Sequence, residues 1–187
     1  NFSGVMPFEI VIDTKVKNGV FANNGKALYK IQKLQKELAG YDQLSKPLSL
    51  VEAIKFSYQA YKKGRSKFYI LPPATELKKL KRYVQDDSRK NKFAGFIDDE
   101  NRVTRVSFQM ADIGTKEMDE LLTDIQPTID EIFPPKEYEV TLTGTSVTFL
   151  KGTNYLVENL LTSLILAVIL IASLMSILFS SVRMVMV

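Results

Sequence analysis

The longest feature in the hydrophobic pattern is a run of 24 residues without charge, from Asn159 to Val182, bounded by Glu158 and Arg183. As a helix rising ~1.5 Å per residue it is ~36 Å long, enough for a hydrocarbon core of ~30 Å. Thirteen of the residues from Leu160 to Phe179 are Leu, Ile, Val or Phe. Together they favour insertion by roughly 4–8 kcal/mol, from which Thr162, Ser163, Ser173 and Ser176 subtract little. A transmembrane helix is predicted there, because buried core helices seldom run to this length without a charge.

Upstream the periods change. Met6, Phe8, Ile10 and Ile12 alternate with Pro7, Glu9, Val11 and Asp13, which predicts a half-buried strand over Met6–Asp13. Ala27, Leu28, Ile31, Leu34 and Leu38 recur at helical spacing, with Asn23 or Asn24 as the expected cap and Gly40 at the far end. A short extended piece, 43–48, follows. Ser49-Leu-Val-Glu52 reads as a capping box opening a second helix to about Tyr61, which Gly64 ends. Beyond a basic loop, Leu71-Pro-Pro-Ala-Thr75 starts a short charged helix to about Val84, and 85–92 is polar loop.

A hairpin is expected next, Phe93–Ile97 and Arg102–Met110 around the turn Asp98–Asn101. Met118, Leu121, Leu122, Ile125, Ile129 and Ile132 form the apolar stripe of a helix from about Thr115 to Phe133, with Pro127 as a candidate kink. Pro134 and Pro135 stop it. Tyr138, Val140 and Leu142 then alternate with polar residues through Thr143. One-sided alternation in the strands suits helices packed on one face of a sheet, an α+β fold. The later strand–strand–helix–strand order reads as a split βαβ, or ferredoxin-like, unit.

Composition narrows the chemistry. The 187 residues contain neither Cys nor His, so these residues offer no disulfide, zinc-thiolate site, Cys nucleophile or His base. No cofactor or metal is expected. Formal charge is +4, and acidic residues lie among or near the basic clusters at 62–67 and 78–92, so no one-signed nucleic-acid face is expected. The chain starts at Asn1 without an initiator Met and stops in apolar sequence, as expected of an excerpt from a longer protein.

A strand reading Gly4-Val-Met-Pro-Phe-Glu-Ile-Val-Ile-Asp13 opens the soluble part. Glu139-Val-Thr-Leu-Thr-Gly-Thr145 closes it, followed by an approach through Phe149 and Leu156 and a span ending Leu178-Phe-Ser-Ser-Val-Arg183. This succession resembles the resistance–nodulation–division (RND) superfamily, within it the MMPL-like and hydrophobe-exporter branches. The ending is similar to that family's LFRSxR, with Ser180 where an Arg is common. The resemblance implies an extracytoplasmic porter domain, 1–154, a transmembrane helix with its approach, 155–182, and the start of a cytoplasmic segment, 183–187. It implies the second half of a proton-driven exporter of hydrophobic or amphiphilic solutes in a bacterial inner membrane. The implied partners are other membrane helices, a second porter domain, the bilayer and possible further copies of the chain; the proton-relay carboxylates lie in a later helix. An ABC-type permease domain and a single-anchored sensor or adhesion ectodomain are the rival readings.

Two sets of residues are candidates for function. Ala172, Ser176 and Ser180 repeat at four-residue spacing in the span, which lets helix backbones approach closely. Phe56, Tyr58 and Tyr61 lie in a stretch mixing aromatics with cations and are the candidate contacts for an apolar solute. The cluster Asp98, Asp99, Glu100 lacks the spacing of a calcium loop and reads as a turn. Asn1-Phe-Ser3 matches a glycosylation acceptor, of consequence only in a eukaryotic source. Gly144 is expected to mark the exit from the last strand, and Arg183 puts the far end of the span on the cytoplasmic side.

Overall fold

A computed structural model describes residues 6–77 and 95–179. Phe93 and Ala94 of the hairpin, residues 78–92, Ser180, Arg183 and the Asn1 acceptor lie outside them. The chain divides into two compact units, Asn1–Val147 and Thr148–Val187.

The first unit is built on a four-stranded antiparallel sheet in the order β2-β3-β1-β4. β1 is Met6–Asp13, β2 Leu48–Ser49, β3 Val103–Met110 and β4 Glu139–Thr143. The period-two pattern of β1 and β3 does what it predicts. Phe8, Ile10 and Ile12 are buried opposite Phe108, Val106 and Thr104, so one face of the sheet forms the core. Phe8 and Phe108 meet at 6.1 Å between ring centroids. β3 lies between β1 and β2, so its antiparallel partners are strands distant in sequence.

Pro7 is placed where its missing N–H does no harm. Pairing of β1 with β4 begins only at Glu9↔Thr143, two residues later, and the Pro7 carbonyl accepts the Ser146 hydroxyl at 3.0 Å. The proline therefore interrupts no ladder bond on that side.

The helices of this unit that matter to the site are α1, Lys26–Leu38; α2, Leu50–Tyr61; and α3, Thr115–Ile132. α1 buries Ala27, Leu28, Ile31, Leu34 and Leu38, the residues its period selects. Each fully buried side chain of this kind is worth roughly 1.5–3 kcal/mol. Its start differs from expectation. Asn23 and Asn24 occupy left-handed backbone at φ 49° and 59°, and Gly25, at φ 81°, is the residue before the helix; no asparagine side chain caps it. Asn tolerates that conformation, so both positions serve the turn instead.

α2 opens as expected: the Ser49 hydroxyl accepts the Glu52 N–H. The reciprocal half of the capping box is absent, because the Glu52 carboxylate is taken by Lys55 and Tyr69. α3 buries Met118, Leu121, Ile125, Ile129 and Ile132, and Leu122 is only half-buried. Lys30 of α1 donates to the Ile132 carbonyl at 2.6 Å, and its ammonium lies 4.5 Å from the Tyr138 ring centroid. A cation at a helix C-terminus meets both an orphan carbonyl and the negative end of the macrodipole. Burial holds the Lys30 ammonium below its usual basicity.

The hairpin is narrower than expected. Ile97 bridges Thr104, and Asp98 caps the turn by accepting the N–H groups of Arg102 and Val103 at 2.7 and 2.9 Å.

The described residues of the second unit all belong to one helix, α4, Thr145–Phe179, which runs without a break into the apolar segment. The separate approach and span of the sequence reading are continuous. None of its most apolar window is buried, and Leu160, Ile169 and Leu178 are all exposed. The hydroxyls of Thr162, Ser163 and Ser173 return to carbonyls of Glu158, Leu160 and Ile169. That satisfies their donors inside the helix, as an apolar solvent requires.

Candidate functional site

The aromatic candidates are sorted by the geometry of α2. Phe56 and Tyr58 are two residues apart, about 200° around a helix, so they cannot share a face. Tyr58 turns inward at 4% exposure and meets Phe68 edge-on at 5.9 Å, whereas Phe56 stands 67% exposed. Tyr61 overhangs the end of the helix, 63% exposed. The structure thus does not bring the three to one surface.

What joins Tyr58 and Tyr61 is Lys62. Its ammonium lies 5.3 Å from the Tyr58 ring, 5.6 Å from Tyr61 and 5.6 Å from Phe68, and 3.3 Å from a Glu76 carboxylate oxygen. Cation–π attraction and the ion pair act on the same charge. The Glu76 carboxylate raises the Lys62 ammonium and, by hydrogen bonding, pushes up the Tyr58 hydroxyl. Lys62 is therefore occupied within the fold, and Tyr58 serves to hold it.

A second arrangement was not visible in the sequence. The Tyr69 hydroxyl donates to Glu52 at 2.7 Å, and that carboxylate pushes its pKa up to about 12. Glu52 also takes Lys55 at 2.7 Å. Glu52 and Lys55 line a shallow cleft of about 500 Å³ with Tyr29, Gln32, Lys36 and Pro47. Beneath it Gln35 donates to the Ser49 hydroxyl at 2.7 Å, and its own amide oxygen has no partner. On the polar face of the sheet, Glu9 holds Arg105 at 3.4 Å and accepts the Ser107 hydroxyl at 3.2 Å.

These groups position one another. No cluster of three or more Asp, Glu, His or Cys with metal-holding geometry occurs among the described residues. The carboxylates at Glu9, Asp13, Glu52 and Glu76 each face a cation, an arrangement that orders side chains.

In α4, Ala172 and Ser176 are the half-buried positions of an otherwise exposed stretch, and Ser180 is outside the described residues. Among those residues α4 is the one helix long and apolar enough to cross a membrane.

Comparison with known proteins agrees with this architecture. No curated protein matches the chain. The MMPL family matches over residues 74–187, more than half of the chain, from the end of the Leu71–Thr75 segment through β3, α3, β4 and the whole of α4. The family is one of membrane transporters within the RND superfamily, not of enzymes. A mixed α+β domain running into a long apolar helix is thus a transporter-related domain, and the chain belongs to the MMPL family.

Proposed function

We propose that this chain is the extracytoplasmic porter domain, with its following membrane helix, of a proton-driven RND-type exporter of hydrophobic or amphiphilic solutes. The observation that carries the proposal is the family match over residues 74–187, which takes in β3, α3, β4 and the whole of α4. The strand order β2-β3-β1-β4 supports a ferredoxin-like subdomain: α1 joins β1 to β2, α3 joins β3 to β4, and β3 is inserted between β1 and β2. In this reading residues 1–154 are the porter domain, 155–182 the span with its approach, and 183–187 enter the cytoplasm of a bacterium.

The proposed mechanism is mechanical. Motion generated by proton entry elsewhere in the transporter shifts porter subdomains as rigid bodies, and these residues form no bond with the solute. Phe56 and Tyr61 contact it through exposed rings, and Tyr58 positions Tyr61 through Lys62. Ala172, Ser176 and Ser180 pack against neighbouring helices of the same transporter, while a second porter domain completes the assembly.

Two experiments test this. The chain has no Cys, so Ser66→Cys supplies one label site on an exposed turn. Labelling by a membrane-impermeant maleimide on intact spheroplasts is expected; labelling only after lysis refutes the orientation. In the complete transporter, Phe56→Ala with Tyr61→Ala is expected to lower export several-fold at unchanged expression. Unchanged export refutes the contact.

A further inference from the structure

The turn after α2 carries charge and apolar surface that the fold leaves unused. Lys63 and Gly64 take left-handed backbone at φ 63° and 75°, and a side-chain carbon added at Gly64 would meet nothing within 4 Å. Gly64 therefore faces open space among the described residues, and Lys63, Arg65 and Lys67 on either side of it are exposed. Residues 53–75 contain no Asp or Glu but five cations, Lys55, Lys62, Lys63, Arg65 and Lys67. Lys55 and Lys62 are paired with Glu52 and Glu76. Among the described residues the side chains of Lys63 and Arg65 have no carboxylate partner, and Lys67 lies only over the Phe68 ring, 5.3 Å from its centroid. Tyr69 and Ile70 follow at once, 45% and 49% exposed. Tyr69 is not free to fold away, because its hydroxyl is held by Glu52 at 2.7 Å.

We propose that residues 63–70 dock onto an acidic phospholipid surface, with Lys63, Arg65 and Lys67 over the phosphates and Tyr69 and Ile70 entering the headgroup layer. Basic side chains near such a surface are attracted additively, and three of them strengthen attachment roughly a hundredfold. Aromatic side chains with a polar tip favour the same depth. The charge complementarity is one-sided: the loop carries three cations unpaired with any carboxylate among the described residues, and no acid of its own. The chain also carries a helix long and apolar enough to cross a membrane, which favours lipid over a soluble partner as the occupant. The inference rests on the loop and the span, not on the solute contacts proposed for Phe56 and Tyr61.

The chain has no Trp, so Ile70→Trp supplies a single emitter in the full chain. It would be placed in nanodiscs of phosphatidylcholine alone and of phosphatidylcholine mixed with phosphatidylglycerol. The expected result is blue-shifted emission in the acidic discs, quenched by bromine-labelled lipid. Both effects should be lost when Lys63→Glu, Arg65→Glu and Lys67→Glu are combined, and also in high salt, where screening acts over a few ångströms. Emission that is the same in both discs, or a shift indifferent to salt, overturns the proposal even if the triple variant fails to fold. A shift that follows protein concentration and not lipid charge would mean that a second copy covers the loop, and overturns it equally.

Discussion

Gly144 stands against the carbonyl of Pro7. Its φ is 103°, and a side-chain carbon there would lie 2.5 Å from the Pro7 oxygen, with the backbone nitrogen of Glu9 at 3.2 Å. The same oxygen accepts the Ser146 hydroxyl. The turn from β4 into α4 is closed onto β1 by a backbone approach that a glycine alone permits.

Gly144→Ala is therefore expected to cost about 2–3 kcal/mol, from a positive φ combined with a clash against backbone that cannot rotate away. Ser146→Ala removes one hydrogen bond and should cost about 1 kcal/mol. Thermal melts of the full chain in detergent check the ranking. Equal melting temperatures for Gly144→Ala and the parent chain would show that the turn relaxes.

Asp13 accepts two hydrogen bonds from the Arg102 guanidinium, at 2.8 and 2.6 Å, and one from the Lys15 N–H at 2.6 Å. The Arg102 bonds, more than the opposing burial, hold its carboxyl below the ordinary 3.8. An unfolded chain then takes up the proton first as pH falls. The stabilisation is complete above about pH 4 and is lost as pH drops from there through the folded value. Asp13→Asn should cost about 1–2 kcal/mol at neutral pH, since the pair is part-exposed, and should flatten the acid limb. Melting temperatures between pH 3 and 7 decide it; parallel curves for the two proteins contradict the assignment.

Ser49 holds two partners at once, the Glu52 N–H and the Gln35 amide at 2.7 Å. Ser49→Ala removes a helix cap and strands a buried amide whose oxygen already lacks a partner. The combined cost should be about 2–3 kcal/mol, above the ~1 kcal/mol of a cap alone. In a Gln35→Leu background the same change should cost only the cap, a difference a double-mutant cycle measures directly.

Ile169 lies near the middle of the uncharged run and is exposed along α4. Ile169→Asp raises the cost of insertion by about 3 kcal/mol. The variant is expected to leave membranes in alkaline extraction to a larger extent than the parent chain. Identical retention would mean that this helix is not what anchors the chain.

Much of this structure is local in origin and could be read from spacing. The period-two runs of β1 and β3 and the 3.6-residue stripes of α1 and α3 declare which side chains face inward before any partner is known. Ser49 identifies its helix start because a cap and the N–H it serves are three residues apart. The span needs only length and lack of charge. Family membership was legible in the same way, from a succession of strand, helix and apolar run, and the family match falls on residues 74–187 of it.

Other relationships have no local signal. That Tyr58 is buried while Phe56 is exposed follows from helix geometry only once the core-facing side of α2 is known. Gly25, not an asparagine, precedes α1 because the Asn23–Asn24 backbone is already left-handed, a choice the side chains alone do not reveal. Lys30 finds the Ile132 carbonyl across 102 residues, and Tyr69 finds Glu52 across a projecting turn. By itself the sequence determined most of the elements, the buried faces, the helix long and apolar enough to cross a membrane, and the family, since each depends on periodicity or composition within a short window. The tertiary structure decided the strand order, the pairing of the part-buried charges among the described residues, and which aromatics and cations remain exposed there. Those depend on which distant surfaces meet, and burial, unlike periodicity, is a property of the whole domain.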